Sequence, residues 1–247
     1  MDPNAKADRA AVAQHHAWEF WPINILVHGK WNKYMLEKVG SRLPAFTPAQ
    51  QKQLAGSYDF VAFDAYTSAW VTALHGTCGE DSDFWPECMN ATTSRLSDNA
   101  LIGKPTQRPW NFRANDTIYS GLKYWHEQGI KAFTVGENGM AVFNETDLLR
   151  PNRVVDPERV DWYRNSLQNL KWVLAEPWGP SKLKGFTHWS CFDNFEWSSG
   201  YGTAFGVIAT NPGYNQTRTP KMSAQYLNLA MHGKISTSPT YFPEGGV

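Results

Sequence analysis

Three short segments, Tyr58–Phe63, Lys131–Val135 and Gly185–Ser190, read as strands and alternate with stretches that carry helix signals, and this alternation most narrows the folds open to the chain. Strands separated by helices predict a parallel sheet, because a parallel pair cannot be joined by a tight turn and needs a helical crossover. Tyr58–Phe63 is aromatic and apolar on both faces, as a strand covered by helices requires. Asp8 is placed to cap a helix from about Arg9 to Trp21 that Pro22 ends, and Thr47-Pro48 opens a short helix that closes before Gly56. Thr117–Gln128 reads as a helix closed by Gly129, Asp156-Pro157 starts one that runs to about Leu174, and Ser223–Met231 forms the last. Between the first strand and the Thr117 helix lies a long excursion, residues 68–114, containing Gly, Pro and Ser; loops of this length are usually functional or mobile.

Composition removes several classes of partner. With 23 basic and 23 acidic residues the formal charge is zero, so nothing electrostatic favours nucleic acid or an anionic membrane, and a neutral small-molecule substrate is expected. No apolar run approaches the roughly 18 residues that span a bilayer. The start Met-Asp-Pro-Asn-Ala-Lys has no apolar signal region. Asn90, Asn115, Asn144 and Asn215 each begin an Asn-x-Thr acceptor triplet for N-glycosylation. Cys78 and Cys88 bracket a short loop and read as a disulfide, since no His or Cys stands at zinc-like spacing beside them; Cys191 is left over and is expected to be buried. His15 and His16 are adjacent on a helix and point in different directions, so they cannot share a metal. Neither a metal nor a cofactor is expected.

The residues that carry chemistry cluster at strand ends. Glu137 stands in Val135-Gly136-Glu137-Asn138-Gly139, directly after the second strand, and the third runs into Trp189-Ser190-Cys191-Phe192-Asp193-Asn194-Phe195-Glu196-Trp197. Sugars present apolar C–H faces rimmed by hydroxyls, so flat indoles beside carboxylate acceptors suit a carbohydrate site. For Glu137 the competing reading is a solvent-facing loop acid; for Tyr66 and the aromatic cluster it is core packing.

Together with Tyr58-Asp59-Phe60-Val61-Ala62-Phe63-Asp64-Ala65-Tyr66-Thr67-Ser68, these segments resemble, in order, the C-terminal half of glycoside hydrolase family 1, the retaining β-glucosidases, across roughly residues 5 to 232. The resemblance implies a single, incomplete (β/α)8 TIM-barrel domain over residues 1–247, holding about strands 6 to 8 of the eight. It implies that Glu137 is the nucleophile, that Tyr66 donates to it, and that Trp189 is the platform beneath the glycone. Glu196 and Trp197 would bond the sugar hydroxyls, Phe205 would form a pocket wall and Trp110 would line the aglycone side. Two positions depart from the family pattern: Asp64 stands where Asn is usual, and Gly136 where Thr is usual. Retaining chemistry needs a second carboxyl about 5 to 5.5 Å from the first. The Asn-Glu-Pro segment that would carry it is absent from this chain.

The expected function is therefore β-glucosidase-type hydrolysis of β-linked glucosides or cello-oligosaccharides, weak or absent in the chain alone. Similar cysteine pairs occur in secreted family members, and with the acceptor triplets they imply a secreted glycoprotein whose targeting segment lies in a missing N-terminal portion. The alternative is a non-catalytic carbohydrate binder or a barrel-completing partner. Open sheet edges invite a second copy or a complementing N-terminal half.

Overall fold

The computed structural model describes residues 6–74, 78–148, 152–211 and 215–235. In chain order the helices α1 (Lys6–Glu19), α2 (Trp21–His28), α3 (Lys33–Val39) and α4 (Pro48–Leu54) come first. Strands β1 (Val61–Asp64), β2 (Trp70–Ala73), β3 (Met89–Thr92), β4 (Lys104–Pro105) and β5 (Phe112–Arg113) follow, then α5 (Thr117–Glu127) and β6 (Phe133–Glu137). The chain continues through α6 (Pro157–Ala175), α7 (Gly179–Lys182), β7 (Leu183–Phe186), β8 (Ile208–Thr210), β9 (Arg218–Pro220) and α8 (Met222–Met231). It divides into two compact units, one of residues 1–61, 68–102 and 123–132, the other of residues 62–67, 103–122 and 133–247.

In the first unit α1 packs on the antiparallel hairpin β2–β3, where Ala11, Val71 and Met89 are buried together. Asp8 accepts from the Ala73 N–H at 3.1 Å, so it ties helix to strand. Pro22 does not simply end the first helix. It sits in the first turn of α2, where its missing N–H has no partner to lose. Thr47 and Gln50 form a reciprocal capping box on α4. Part of the excursion expected as loop is hairpin, and Cys78 and Cys88 are joined by a disulfide with a Cα–Cα distance of 5.6 Å. His16 lies against Phe20 and Tyr124, an aromatic packing role.

The sheet that positions the site has the order β1-β6-β7. Strands β6 and β7 are parallel, Thr134 facing Gly185 and Val135 facing Phe186. The bonds Val61 N–H to Ala132 O and Ala65 N–H to Glu137 O advance together along β1 and β6, so that pair is parallel too. Phe133 and Val135 are fully buried on one face of β6. The opposite face is uncovered among the described residues: Ala62, Asp64 and Thr187 are exposed, which corrects the expectation of a first strand buried on both sides. The fold is α/β with a parallel sheet, and no closed barrel forms among the described residues. In the second unit Met140, Trp162, Tyr163, Val207, Tyr226 and Leu227 make one core that joins α6 and α8 to the segment after β6. No helix among the described residues is long and apolar enough to cross a membrane.

Candidate functional site

Glu137 is the last residue of β6 and Tyr66 follows β1 by two residues. The Tyr66 hydroxyl donates to Glu137 Oε2 at 2.7 Å. Burial pushes the Tyr66 phenol well above its ordinary range; the bond to Glu137 and then the charges of Glu137, Asp64 and Glu196 add to it. The phenol therefore remains a donor at any working pH. Its ring is held edge-on by Trp110 at 5.6 Å and by buried Phe205 at 6.3 Å between centroids.

Trp189 arrives beside Glu137 because the ladder continues past β7: the Trp189 N–H donates to the Asn138 carbonyl at 2.8 Å. The approach is so close that a Cβ on Gly139 would lie 1.8 Å from the Trp189 carbonyl oxygen, so only glycine fits there. Glu196 accepts a hydrogen bond from Trp189 and is held above its ordinary carboxylate range, chiefly by burial and also by Glu137, while Trp189 and Arg108 oppose the shift. Tyr66, Glu137, Trp189 and Glu196 thus form one connected set: two acids, a donor phenol and an indole, with Phe205 and Trp110 as walls. Trp197 is 82% exposed, and Phe195 and Tyr201 in the same loop are exposed as well.

The sequence pattern described as Glycosyl hydrolase family 1 matches residues 1–234. The chain belongs to glycosyl hydrolase family 1. Among its relatives, the raucaffricine-O-beta-D-glucosidase of Rauvolfia serpentina is 31% identical over 243 residues, which take in 96% of this chain and 44% of that one. Beta-glucosidase 44 of Arabidopsis thaliana is 31% identical over 225 residues, 90% of this chain and 43% of the relative. The solved β-glucosidase of the fungus Humicola insolens, in complex with glucose, superposes with a TM-score of 0.84 at 28% identity, over 96% of this chain and 49% of that chain. The chain thus spans less than half the length of these family 1 relatives.

Within this family 1 chain, helix α6 holds the site from behind. Arg159, Trp162, Tyr163, Ser166 and Asn169 recur at helical spacing and are all buried. Trp162 Nε1 and Ser166 Oγ donate to Asn138 Oδ1, the Tyr163 hydroxyl donates to the Trp189 carbonyl, and Arg159 Nε donates to the Met140 carbonyl. Arg159 also bonds Glu145, Asp156 and the Ala204 carbonyl. Lys221 pairs with Glu145 and Asp193, and Asp193 accepts in addition from the Gly206 N–H. This buried network anchors both ends of the loop that carries Glu196.

The sequence singled out none of Arg108, Arg159, Lys221 or Glu145, because isolated charges in loops and helices look solvated until the fold buries them. Cys191 is a correction in the other direction: it is free and exposed, since its backbone pairs with Ile208 while its side chain turns outward. The two departures at Asp64 and Gly136 prove to be neighbours, for a Cβ at 136 would lie 2.7 Å from Asp64 Oδ1. Of the four acceptor asparagines, Asn115, Asn144 and Asn215 are exposed and Asn90 is half-buried in β3.

Proposed function

We propose that this chain carries the nucleophile side of a retaining β-glucosidase site that acts on neutral β-linked glucosides or cello-oligosaccharides. The observation that supports this best is the 2.7 Å bond from Tyr66 to Glu137 beside the Trp189–Glu196 pair. In this reading the Glu137 carboxylate attacks the anomeric carbon as the bond to the aglycone oxygen breaks, giving a glycosyl ester. Tyr66 fixes which oxygen attacks. Trp189 offers a flat face to the sugar ring, and Glu196 and Trp197 bind its hydroxyls. The leaving oxygen needs a proton from a second carboxyl, and water must later give one up to it. No residue of this chain is assigned that task, so natural glucosides turn over weakly or not at all, whereas aryl glucosides that leave without protonation still form the ester.

Incubation with a dinitrophenyl 2-fluoroglucoside followed by intact mass tests this. A single glycosyl adduct, mapped to Glu137 and absent in Glu137→Gln, is expected. An unlabelled wild-type chain removes the nucleophile assignment. The edges and face of the β1-β6-β7 sheet that are uncovered among the described residues favour a second reading, a carbohydrate-binding or barrel-completing partner chain. Glucose binding that survives Glu137→Gln in a chain that takes no label would select it. The disulfide and the exposed acceptor asparagines support an oxidising, secretory compartment; an unchanged mass after glycan removal from secreted chain would count against glycosylation.

A further inference from the structure

Asn138, directly after Glu137, is 3% exposed, and the two ends of its amide are used in opposite senses. Oδ1 accepts from Trp162 Nε1 at 2.9 Å and from Ser166 Oγ at 2.7 Å, both on α6, while Nδ2 donates to the Ala65 carbonyl. The orientation is forced, since an indole N–H can only donate and a peptide carbonyl can only accept. Ala65 is held from its other side as well, its N–H donating to the Glu137 carbonyl at 2.8 Å. The residue that precedes Tyr66 is therefore gripped at both backbone polar groups by consecutive residues of the nucleophile segment. Trp110 and Phe205 meet the Tyr66 ring edge-on, and neither bonds its hydroxyl. The pinning of residue 65 thus contributes to the reach of that hydroxyl to Glu137.

We propose that Asn138 is a positioning residue, whose amide ties the Tyr66 segment to α6 and so fixes the Tyr66–Glu137 hydrogen bond, with Trp162 and Ser166 as its anchors. The proposal rests on the reading of Glu137 as nucleophile given above. It makes Asn138 act through Tyr66, without touching the sugar. Loss of a purely structural asparagine would cost the same with or without the Tyr66 hydroxyl; loss of a positioning one shows in the labelling rate only while that hydroxyl is present.

The test is a cycle on the full chain. Asn138→Asp keeps the shape and the acceptor toward α6 but sets a carboxylate oxygen against the Ala65 carbonyl. Tyr66→Phe removes the hydroxyl itself. Labelling by the dinitrophenyl 2-fluoroglucoside is expected to slow by about 10- to 100-fold in Asn138→Asp, the scale of a misplacement near 1 Å. In the Tyr66→Phe background the same change is expected to cost less than about threefold. Equal costs in both backgrounds overturn the proposal. Because a buried carboxylate can hinder folding, Ser166→Ala is run alongside; it removes one anchor without adding charge and should follow the same pattern with a smaller effect. Amide exchange over residues 64–67 is read in parallel. It is expected to quicken in both variants while α8 exchanges as before, and unchanged exchange over 64–67 overturns the proposal. If wild type takes no label, the nucleophile reading fails, and the exchange measurement still decides the role of Asn138.

Discussion

Glu196 is pulled in two directions by its surroundings. Burial and the nearby Glu137 make its carboxyl hold a proton more readily than usual, whereas the Trp189 bond and the Arg108 charge favour ionisation. An ionised carboxylate accepts from two sugar hydroxyls, but the protonated form loses part of that capacity. Labelling by an activated glucoside should therefore fall on the acid side as Glu196 protonates. Removing Arg108 removes one of the two influences that keep it ionised, so Arg108→Gln should move that acid limb to higher pH, with Arg108→Lys closer to wild type. Second-order labelling rates across pH check this; a limb that stays in place would mean that Arg108 does not govern the charge on Glu196. Glu137, Trp189 and Glu196 were legible from sequence because each closes a strand or stands in the aromatic segment after one. Arg108 was not, because it lies in the long excursion, where no periodicity announces a side chain's direction.

At the scale of elements, α6 is the part on which the site depends most. Over about two turns, Arg159, Trp162, Tyr163 and Ser166 reach Met140, Asn138, Trp189 and Asn138 again. Arg159 is wholly buried and faces Glu145 and Asp156, which are buried too. Arg159→Met would leave those carboxylates short of a cation, at a cost of about 3 to 5 kcal/mol. Arg159→Lys should recover only part of this, since an ammonium cannot reproduce the fork of donors that meets two carboxylates and two carbonyls. Chemical denaturation of the three chains measures it; a loss below about 1 kcal/mol for Met would show the network to be balanced without Arg159. The helix itself was foreseeable from its Asp-Pro start, to within a residue or two at either end. Less visible were α2, whose first turn holds a proline that also reads as a stop, and β8–β9, whose strands are only three residues long. Strand β7 also begins and ends earlier than expected, although backbone bonds such as Thr187 N–H to the Val135 carbonyl continue beyond Phe186.

At the scale of the whole molecule, the face and edges of the β1-β6-β7 sheet that are bare among the described residues set what a partner could grip. Barrel interiors are filled mainly by bulky branched side chains. The uncovered face here offers Ala62, Asp64 and Thr187, with Gly136 and Gly185 carrying no side chain at all. Little apolar area would be removed from water by covering it, so any association there must rest on the hydrogen-bonding edges of β1 and β7 and on side chains that the partner brings. On the proposed reading, a polypeptide with the complementary half of a family 1 fold would bring the second carboxyl. Adding it should raise turnover of cellobiose, whose leaving group needs a proton, by about 10² to 10⁴, the range of general acid assistance. Formation of the ester from the dinitrophenyl 2-fluoroglucoside needs no such proton and should change little. The two rates measured against partner concentration, with sedimentation to confirm the complex, separate the effects. A proportional rise in both would mean that the partner steadies Glu137 and Tyr66 without supplying an acid, since a proton donor can favour only the substrate that waits for one.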